Sequence, residues 1–459
     1  MYDLVIKNAK IVSENGTFYG WAAVSGGRIA ALGEGSAPAG TKEIDAKGLT
    51  LLPGGVDPHV HIRYPGGAHR ETFVTGTRAA AAGGVTTVIE HPISTPPQYS
   101  PETLQPRIDA VREQAVVDVA FLGAAGGAHL DDIGRVAAAG VVGYKTFLHA
   151  APEGREKEFE GLTSATNYDL LKVMEEVKKT GLPMAAHGED NDLVAGGIAA
   201  LRKEGDMGPM AHARSRPALA ETMAVDRLIR IAETVGGDLY LVHISTPEAV
   251  AAAKAARERG MKIWIETCPQ YLYLTEEALE QFGPYAKCNP ALRDRARVEQ
   301  MWAYTMDGTI DTVGSDHAPF TKEEKEKNPQ DIFLAPAGFP GLETRHGLMM
   351  KAVRDGRISL ERAVELLSVN PAKAYGLYPQ KGAIRVGADA DFILCAPEET
   401  WIVDASKMET MSRDTAKVFE GWELAAPISK TIVRGEVVWD EGECKVEPGF
   451  GRWVSKRGD

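Results

Sequence analysis

Short apolar runs alternate with helical stretches between about residues 55 and 320. A strand buried on both faces forms a continuous apolar run, whereas a covering helix repeats its apolar positions every three or four residues. The alternation therefore predicts parallel strands joined by helices that pack on them, and eight such strands suit a closed barrel. The predicted strands are 55–62, 86–91, 117–123, 141–147, 182–187, 239–244, 262–267 and 311–316.

The stretches between these strands carry helix start and stop signals. Ser100-Pro101-Glu102 and Thr246-Pro247-Glu248 each place a hydroxyl before a proline, which favours a helix beginning at the proline. The alanines at 79–82 precede Gly83-Gly84, which is typical of a helix end. A last helical pattern covers 359–374, and Asn370-Pro371 is expected to stop it.

The two ends of the chain have a different pattern, with short β-type runs separated by turns such as Glu14-Asn15-Gly16 and Gly26-Gly27. We predict that both ends together build one small β-sandwich. The expected fold class is α/β, a (β/α)8 TIM barrel over residues 53–376 with the sandwich formed by 1–52 and 377–459. The β-type runs are 4–6, 10–12, 22–24, 28–30, 381–384, 390–394 and 430–438.

Composition narrows the class of protein. The chain has 459 residues, of which 44% are hydrophobic and 25% charged, as in a globular enzyme, and its formal net charge of -13 repels nucleic acid and anionic membranes. A leader segment and an apolar run of membrane-spanning length are both missing from the pattern, so we expect a cytoplasmic protein. The four cysteines are scattered, which predicts neither disulfides nor a zinc knuckle.

Most of the predicted strands end in a polar group that can bind a metal or a substrate. In a barrel of parallel strands the C-terminal strand ends form one face, where catalytic groups from different strands meet. We therefore expect one pocket to collect these side chains. They are His59, His61, Glu90, His91, Lys145, His187, His243, Glu266 and Asp316.

The histidines and Asp316 suggest a metal site. His59 and His61 lie two residues apart, so both side chains leave one face of a strand and can bind one cation. Singly, His187 or His243 fits a hydrogen-bonded core histidine just as well. Together, however, the four lie at corresponding strand ends, and the Asp316 carboxylate requires a balancing cation or proton when buried.

Lys145 is open to two interpretations. An ammonium group has no lone pair for a metal and would be repelled by divalent cations. Lys145 therefore either pairs with an anionic group as an ordinary lysine, or has reacted with carbon dioxide to give an anionic carbamate that can bridge metals. The chemistry of the residues alone does not choose between them.

The order of these residues resembles the amidohydrolase superfamily, in its branch of hydantoinases, dihydropyrimidinases, allantoinases and dihydroorotases, and the resemblance covers nearly the whole chain. It is closest to L-hydantoinases and bacterial allantoinases. The segments that carry it are His59-Val60-His61, Lys145, His187, His243, Glu266-Thr267-Cys268-Pro269-Gln270-Tyr271-Leu272, Gly314-Ser315-Asp316-His317 and Gly338-Phe339-Pro340-Gly341-Leu342-Glu343-Thr344.

The resemblance implies a carboxylated Lys145 that bridges two divalent ions. One ion would also be held by His59, His61 and Asp316, and the other by His187 and His243. Zinc suits these ligands best, although manganese or cobalt would also fit. A hydroxide bridging the ions would open a cyclic amide, with Asp316 carrying the proton. The resemblance also implies a homodimer or homotetramer.

The ring that is opened is less constrained. Arg63 resembles the dihydroorotase pattern, in which an arginine binds the substrate carboxylate, but Ile93 stands where that pattern has asparagine. Ala150 replaces a tyrosine typical of D-hydantoinases and dihydropyrimidinases, and His91 replaces a usual methionine.

We predict a hydantoin-like substrate, with allantoinase as the alternative and dihydroorotase and dihydropyrimidinase ranked below. The alternative from a different functional class is a non-enzymatic scaffold protein related to dihydropyrimidinases. Arg63 and Asn289 are the predicted substrate-binding residues, although each has a simpler interpretation, Arg63 as the partner of an acidic neighbour and Asn289 as a turn-former before Pro290.

Overall fold

The computed structural model describes residues 1–13, 16–152 and 154–456, so Glu14 and Asn15 of the predicted turn lie outside the described residues. The N-terminal runs 4–6 and 10–12 belong to one long strand, interrupted by a bulge where Asn8 has a φ of 57°. The Gly26-Gly27 turn is present, with φ of 59° and 75°, values that favour glycine. The strands are β1 Tyr2–Ser13, β2 Gly16–Ser25, β3 Arg28–Gly33, β4 Gly40–Asp45 and β5 Thr50–Pro53.

A parallel barrel follows. All eight predicted strands are confirmed within the described residues, and they pair in sequence order. Val60 bridges His317 beyond the last strand, and the His61 N–H donates to the His317 carbonyl over 2.8 Å, which brings the first and last strands together. The strands are β6 Gly55–Val60, β7 Val85–Glu90, β8 Asp118–Ala124, β9 Gly143–Phe147, β10 Met184–His187, β11 Leu239–Leu241, β12 Ile263–Thr267 and β13 Thr312–Val313.

Helices cover the barrel. They are α1 Phe73–Ala82, α2 Pro101–Gln114, α3 Ile133–Ala139, α4 Asn167–Thr180, α5 Asn191–Glu204, α6 Ala211–Ser215, α7 Ala218–Val235, α8 Pro247–Glu258, α9 Pro269–Tyr273, α10 Ala278–Phe282, α11 Arg295–Met306, α12 Lys322–Glu326, α13 Leu342–Arg354, α14 Leu360–Val364 and α15 Asn370–Ala374. Short 3-10 turns cover Gly127–Asp132, Glu156–Phe159, Gly283–Ala286, Ile332–Leu334, Ala405–Lys407 and Arg413–Thr415.

The predicted helix signals mostly hold. The Ser100 hydroxyl accepts the Thr103 N–H over 3.3 Å and so caps α2, and α1 ends before Gly83 as expected. Thr246 precedes α8, but its side chain makes no capping bond with the described residues. The prediction that Asn370-Pro371 stops the last helix was wrong. A wide π-helical turn, Glu365–Val369, joins α14 to α15. The chain stays helical through Pro371, near the start of α15, where the absence of a backbone N–H in proline is tolerated.

The C-terminal segment returns to the N-terminal strands, and β5 and β14 are antiparallel neighbours in the shared sheet. Within the described residues this sheet has nine strands, in the order β19-β18-β17-β14-β5-β1-β2-β3 with β4 beside β1. The predicted β-run 381–384 was wrong, since Lys381 lies in a loop and bonds to carboxylates. The strands are β14 Phe392–Cys395, β15 Thr400–Ile402, β16 Glu423–Ala425, β17 Ile428–Val433, β18 Glu436–Asp440 and β19 Glu443–Cys444.

Two cores correspond to these two parts. The terminal sheet packs around its own apolar cluster, which includes Ile6, Ile11, Val24, Phe392 and Ile432. A larger cluster lies between the barrel and its helices. The structure thus has a barrel and an additional sheet domain, while the domain limits of 1–52, 53–376 and 377–459 stay a prediction.

The cysteines and the helices agree with the expectations from composition. All four cysteines are free, and Cys268, Cys288 and Cys395 are buried. Among the helices of the described residues, none combines the length and the apolar character needed to cross a bilayer.

Candidate metal centre and substrate cavity

The predicted metal-binding side chains meet at one end of the barrel. His59, Lys145 and His187 lie in the C-terminal parts of β6, β9 and β10, whereas His243 and Asp316 follow the ends of β11 and β13. Parallel strands bring their C-terminal ends to the same face. The backbone of His243 has a φ of 41° and that of Asp316 a φ of 48°. These left-handed conformations are strained for non-glycine residues, a feature that clusters at functional sites.

One group of ligand atoms surrounds the Asp316 carboxylate. Its Oδ1 lies 3.3 Å from His59 Nε2 and 3.4 Å from His61 Nε2. All three side chains are buried. Two imidazole nitrogens beside one carboxylate oxygen are the kinds of donor that a divalent transition metal prefers.

A second group is formed by His187 and His243. His187 Nδ1 lies 3.0 Å from His243 Nε2, and both rings are buried. Two lone pairs at this distance repel each other, so either a proton or a cation must lie between them. Burial, followed by the neighbouring charges, lowers the pKa of His243 well below its ordinary value, which favours the neutral ring that binds a metal.

Carboxylates orient two of the four rings. Glu266 Oε1 lies 2.7 Å from His59 Nδ1, and Glu189 Oε2 lies 2.9 Å from His187 Nε2. An ionised carboxylate accepts the ring N–H and leaves the lone pair on the opposite nitrogen, the arrangement usual around metal-binding histidines. Arg216 in turn bonds to Glu189. The sequence reasoning named Glu266 but missed Glu189, whose only signal is its spacing of two residues after His187.

Lys145 lines the same cavity as the two groups. After burial, its charge is among the factors that lower the pKa of His59, His61, His187 and His243. Its Nζ is buried and has no hydrogen-bond partner among the described residues. Burial also lowers the pKa of Lys145 itself, which favours the neutral amine, the form that reacts with carbon dioxide. An unpaired buried amine close to the four histidines and Asp316 fits a lysine that becomes a metal-bridging carbamate.

His91 was not among the predicted metal ligands, but it lies beside two of them. Its ligand atom and those of His59 and His61 all lie within 4.8 Å of one another. The His91 ring stacks on His59 with centroids 3.8 Å apart, and its Nε2–H donates to the Pro58 carbonyl over 2.9 Å. Nδ1 therefore keeps its lone pair, for which the described residues offer no donor. The sequence placed His91 at this strand end but indicated no role for it.

A cavity of about 540 Å³ opens beside these groups. The cavity is lined by Arg63 and Asn289, the predicted substrate-binding residues, and by the predicted metal ligands. The Asn289 Oδ1 atom has no donor among the described residues, so it is available to a ligand. His149, for which the sequence predicted nothing, also lines the cavity. The other lining residues are Ile93, Phe147, Pro152, Arg155, Phe159, Ala318, Ala337 and Gly338.

A second acidic cluster lies elsewhere, where the barrel meets the terminal sheet. Asp118, Asp389 and Asp391 surround Lys381, whose Nζ lies 2.5 Å, 2.9 Å and 2.9 Å from their carboxylate oxygens. The ammonium group already occupies the point at which a cation would bind. We therefore interpret this cluster as a structural ion-pair network.

Comparisons with known proteins agree with this arrangement. The chain is 32% identical to the L-hydantoinase of Paenarthrobacter aurescens over 100% of its own length and 99% of the relative's. It is 34% identical to an allantoinase of Deinococcus radiodurans over 97% of both chains. The solved structure of an L-hydantoinase (dihydropyrimidinase) from Arthrobacter aurescens superposes with a TM-score of 0.94 at 32% identity and covers 99% of this chain and 100% of that one. The model of the Amidohydrolase family matches residues 50–438. The chain belongs to the amidohydrolase family.

Proposed function

We propose that this protein is a binuclear-metal cyclic amidohydrolase that opens a hydantoin-like ring. The observation that carries the proposal is the pair of ligand groups facing one cavity, His59 and His61 with Asp316 on one side and His187 with His243 on the other. Its full-length relatives include an L-hydantoinase and allantoinases, which are hydrolases of cyclic amides by name.

The residues divide between two ions in this proposal. His59, His61 and Asp316 would hold one ion, His187 and His243 would hold the other, and a carboxylated Lys145 would bind both. Imidazole and oxygen donors suit zinc, with manganese or cobalt as substitutes. When bound, such an ion pair supplies a nucleophile from water at neutral pH and polarises the scissile carbonyl.

Asp316 moves the proton. Its carboxylate takes one proton from the attacking water and returns it to the ring nitrogen as the C–N bond breaks, so that the products are a carboxylate and a free ureido or amide end. Burial raises the pKa of the Asp316 carboxyl, which brings it towards the range suited to proton transfer near neutral pH. Arg63 binds the ring through its N–H groups, and Asn289 binds it through its free Oδ1.

Allantoinase is the second candidate, since the Deinococcus radiodurans relative carries that name at 34% identity. A panel of hydantoin, 5-substituted hydantoins, dihydrouracil, allantoin and dihydroorotate, scored by kcat/KM, tests the assignment. We expect the highest value for a hydantoin and loss of activity on chelation. A higher kcat/KM for dihydroorotate or allantoin would mean that the proposed substrate is wrong. Full activity in metal-stripped protein would overturn the mechanism.

The carboxylated lysine has its own test. The wild type should bind about two divalent ions per chain. Lys145→Ala should lose activity and most of the bound metal, because the bridging ligand is gone. Metal analysis of the purified variant provides the readout, and Lys172→Ala, on the exposed side of α4, is the control. A Lys145→Ala variant with unchanged metal content would contradict the bridging role.

We also propose a homodimer or homotetramer. Light scattering coupled to size exclusion should give two or four times the chain mass of 49.4 kDa. A mass of one chain at micromolar concentration would contradict this.

A further inference from the structure

The backbone on both sides of Asp316 is fixed by hydrogen bonds. The φ of Asp316 is 48°, a conformation that non-glycine residues keep only where their surroundings enforce it. Before it, the Ser315 N–H donates to Asp57 Oδ1 over 3.1 Å. After it, the His317 carbonyl accepts the His61 N–H over 2.8 Å, and the His317 N–H donates to the Ser315 hydroxyl over 3.1 Å. The direction of the Asp316 carboxylate therefore depends on where its two neighbours are held.

The His317 ring adds a second restraint, because both of its nitrogens are bonded. Nδ1 accepts the Gly341 N–H over 3.2 Å, so the ring hydrogen lies on Nε2. Nε2 is 3.3 Å from Glu71 Oε2, and both side chains are fully buried. The ring cannot turn without leaving a buried polar group unsatisfied, which is unfavourable. Glu71 thus holds the side chain of the residue that follows Asp316.

Glu71 is itself held by donors from two distant parts of the chain. Its Oε1 accepts the Thr75 hydroxyl of α1 and the Met411 N–H, the latter over 3.3 Å. Its Oε2 accepts the Thr410 hydroxyl as well as the His317 N–H. A carboxylate has about four lone-pair sites, and these four donors fill them. The Glu71 carboxylate is therefore locked in place, and a loop of the C-terminal segment supplies two of the four bonds.

This loop has a second anchor on the barrel, which allows the role of Glu71 to be isolated. Glu343, on α13, accepts the N–H groups of Glu409 and Thr410 over 3.1 Å and 3.2 Å. Both glutamates thus hold the same loop. Of the two, Glu71 also bonds to the His317 ring, whereas Glu343 makes no bond to it.

We propose that Glu71 is a positioning residue for the reaction: through the His317 ring, it holds the backbone that directs the Asp316 carboxylate at the metal-type histidines. The C-terminal loop completes this arrangement, so the segment that returns to the terminal sheet also contributes to turnover. The inference deepens the proposed function and rests on it for the role of Asp316. The chain of contacts itself can be tested without turnover.

The direct test is Glu71→Gln, measured at saturating zinc on the cyclic amide with the highest kcat/KM. The variant places an NH2 group against donors that Glu71 accepts, so the His317 bond is lost or displaced. We expect kcat to fall about 10- to 100-fold, the range for outer partners of a metal site, with little change in KM. Glu343→Gln is the matched control, because it weakens the same loop without touching His317 and should leave kcat unchanged.

A double variant tests whether Glu71 acts through His317. His317→Leu removes both ring bonds while keeping an apolar side chain in the space. If the two residues act as one unit, adding Glu71→Gln to His317→Leu should not lower kcat further, whereas independent effects would multiply. A multiplied loss would refute the positioning role. Thr410→Val, which removes one donor to Glu71, should lower kcat less than Glu71→Gln and guards against a misfolded Glu71→Gln variant.

Zinc binding separates failure of this inference from failure of the proposed function. In chelator competition, Glu71→Gln should release one of two zinc ions about 10- to 100-fold more readily, because the Asp316 carboxylate itself moves, and Glu343→Gln should not. If zinc responds in this way but the wild type opens no cyclic amide, the positioning role stands and the proposed reaction is wrong. If the wild type opens rings and Glu71→Gln matches it in kcat and zinc affinity, the positioning role is refuted.

Discussion

At the scale of single residues, the group that accepts the N–H of one ring nitrogen decides which nitrogen of a histidine faces the metal centre. Glu266 accepts the Nδ1–H of His59, and Glu189 accepts the Nε2–H of His187, so the two rings offer different nitrogens to the centre. Glu266 also accepts the His243 N–H and the Tyr240 hydroxyl, each over 2.9 Å. The Glu266 carboxylate, on β12, therefore positions groups on or just after two other strands, β6 and β11.

Glu266→Gln should weaken metal binding. A carboxamide accepts the His59 N–H less strongly and carries no charge, and changes at such outer partners typically reduce metal affinity 10- to 100-fold. Competition with a chelator measures the dissociation constant. Glu343→Gln is a matched control, since Glu343 is half-buried, has its pKa raised by burial to about 8, and accepts the backbone N–H groups of Glu409 and Thr410. An equal effect of both variants would contradict the positioning role of Glu266.

Asp316→Asn should retain metal and lose turnover. The amide oxygen can still approach the ions, but an amide cannot take the proton from water, and general acid–base groups contribute about 10²- to 10⁴-fold to rate. Metal content and kcat measured on the same preparation separate the two effects. A variant with normal kcat would remove Asp316 from the proton path.

At the scale of elements, a buried ion-pair network joins barrel strand β8 to the loops of the terminal sheet. Asp118 begins β8, and it binds Lys381 and Arg434, which come from the C-terminal segment. Asp391 accepts the Arg434 N–H over 2.8 Å as well as bonding to Lys381. Each charge in this network has partners that balance it.

Lys381→Met should destabilise the fold strongly. Removing the ammonium leaves buried carboxylates facing one another, and breaking a buried pair in this way costs about 3–5 kcal/mol of unfolding free energy. Urea unfolding measures the loss. Lys42→Met is the control, since Lys42 forms an exposed pair with Glu436 at 3.0 Å, for which about 0–1 kcal/mol is expected. Equal losses in the two variants would show that the network adds nothing beyond a surface pair.

At the scale of the whole molecule, the barrel and the terminal sheet meet through groups whose charge depends on pH. Burial raises the pKa of Asp118, but Lys381 and Arg434 outweigh it and hold the pKa below its ordinary value of 3.8. A carboxyl whose folded pKa is depressed adds stability above its unfolded pKa and loses it as the pH falls through the folded value. Stability from this contact is therefore full at neutral pH and declines in acid.

Asp118→Asn should lower the melting temperature at pH 7 more than at low pH. The variant has no charge to lose. In the wild type the stabilising charge is favoured at pH 7, and its contribution declines as the pH falls from the ordinary value of 3.8 towards the lower pKa of the folded state. Thermal unfolding of both proteins between pH 7 and pH 3 gives the difference at each pH. A difference that stays constant across this range would assign the effect to shape rather than charge.

The sequence alone determined the barrel and the set of metal-type residues. Most barrel strands are runs of apolar residues with a polar group at or near the C-terminal end, and parallel pairing brings such ends together. The strand ends thus predicted His59, His61, Lys145, His187, His243 and Asp316 as one group, which the structure places around one cavity. The limits of the terminal runs were less well predicted, because Lys381 resembles a strand residue locally but is held by carboxylates from distant segments.

Only the tertiary structure decided which groups complete the site. Glu189, which bonds to His187, and the cavity-lining residues His149 and Arg155 lie on loops, where no periodic pattern marks such residues. The Phe320 ring likewise has Arg63 and Lys325 beside it, two residues that are 262 positions apart in the sequence. Alternation of apolar and polar residues is a local property that fixes where strands end, whereas charge balance in a cavity depends on distances between loops that only the folded chain sets.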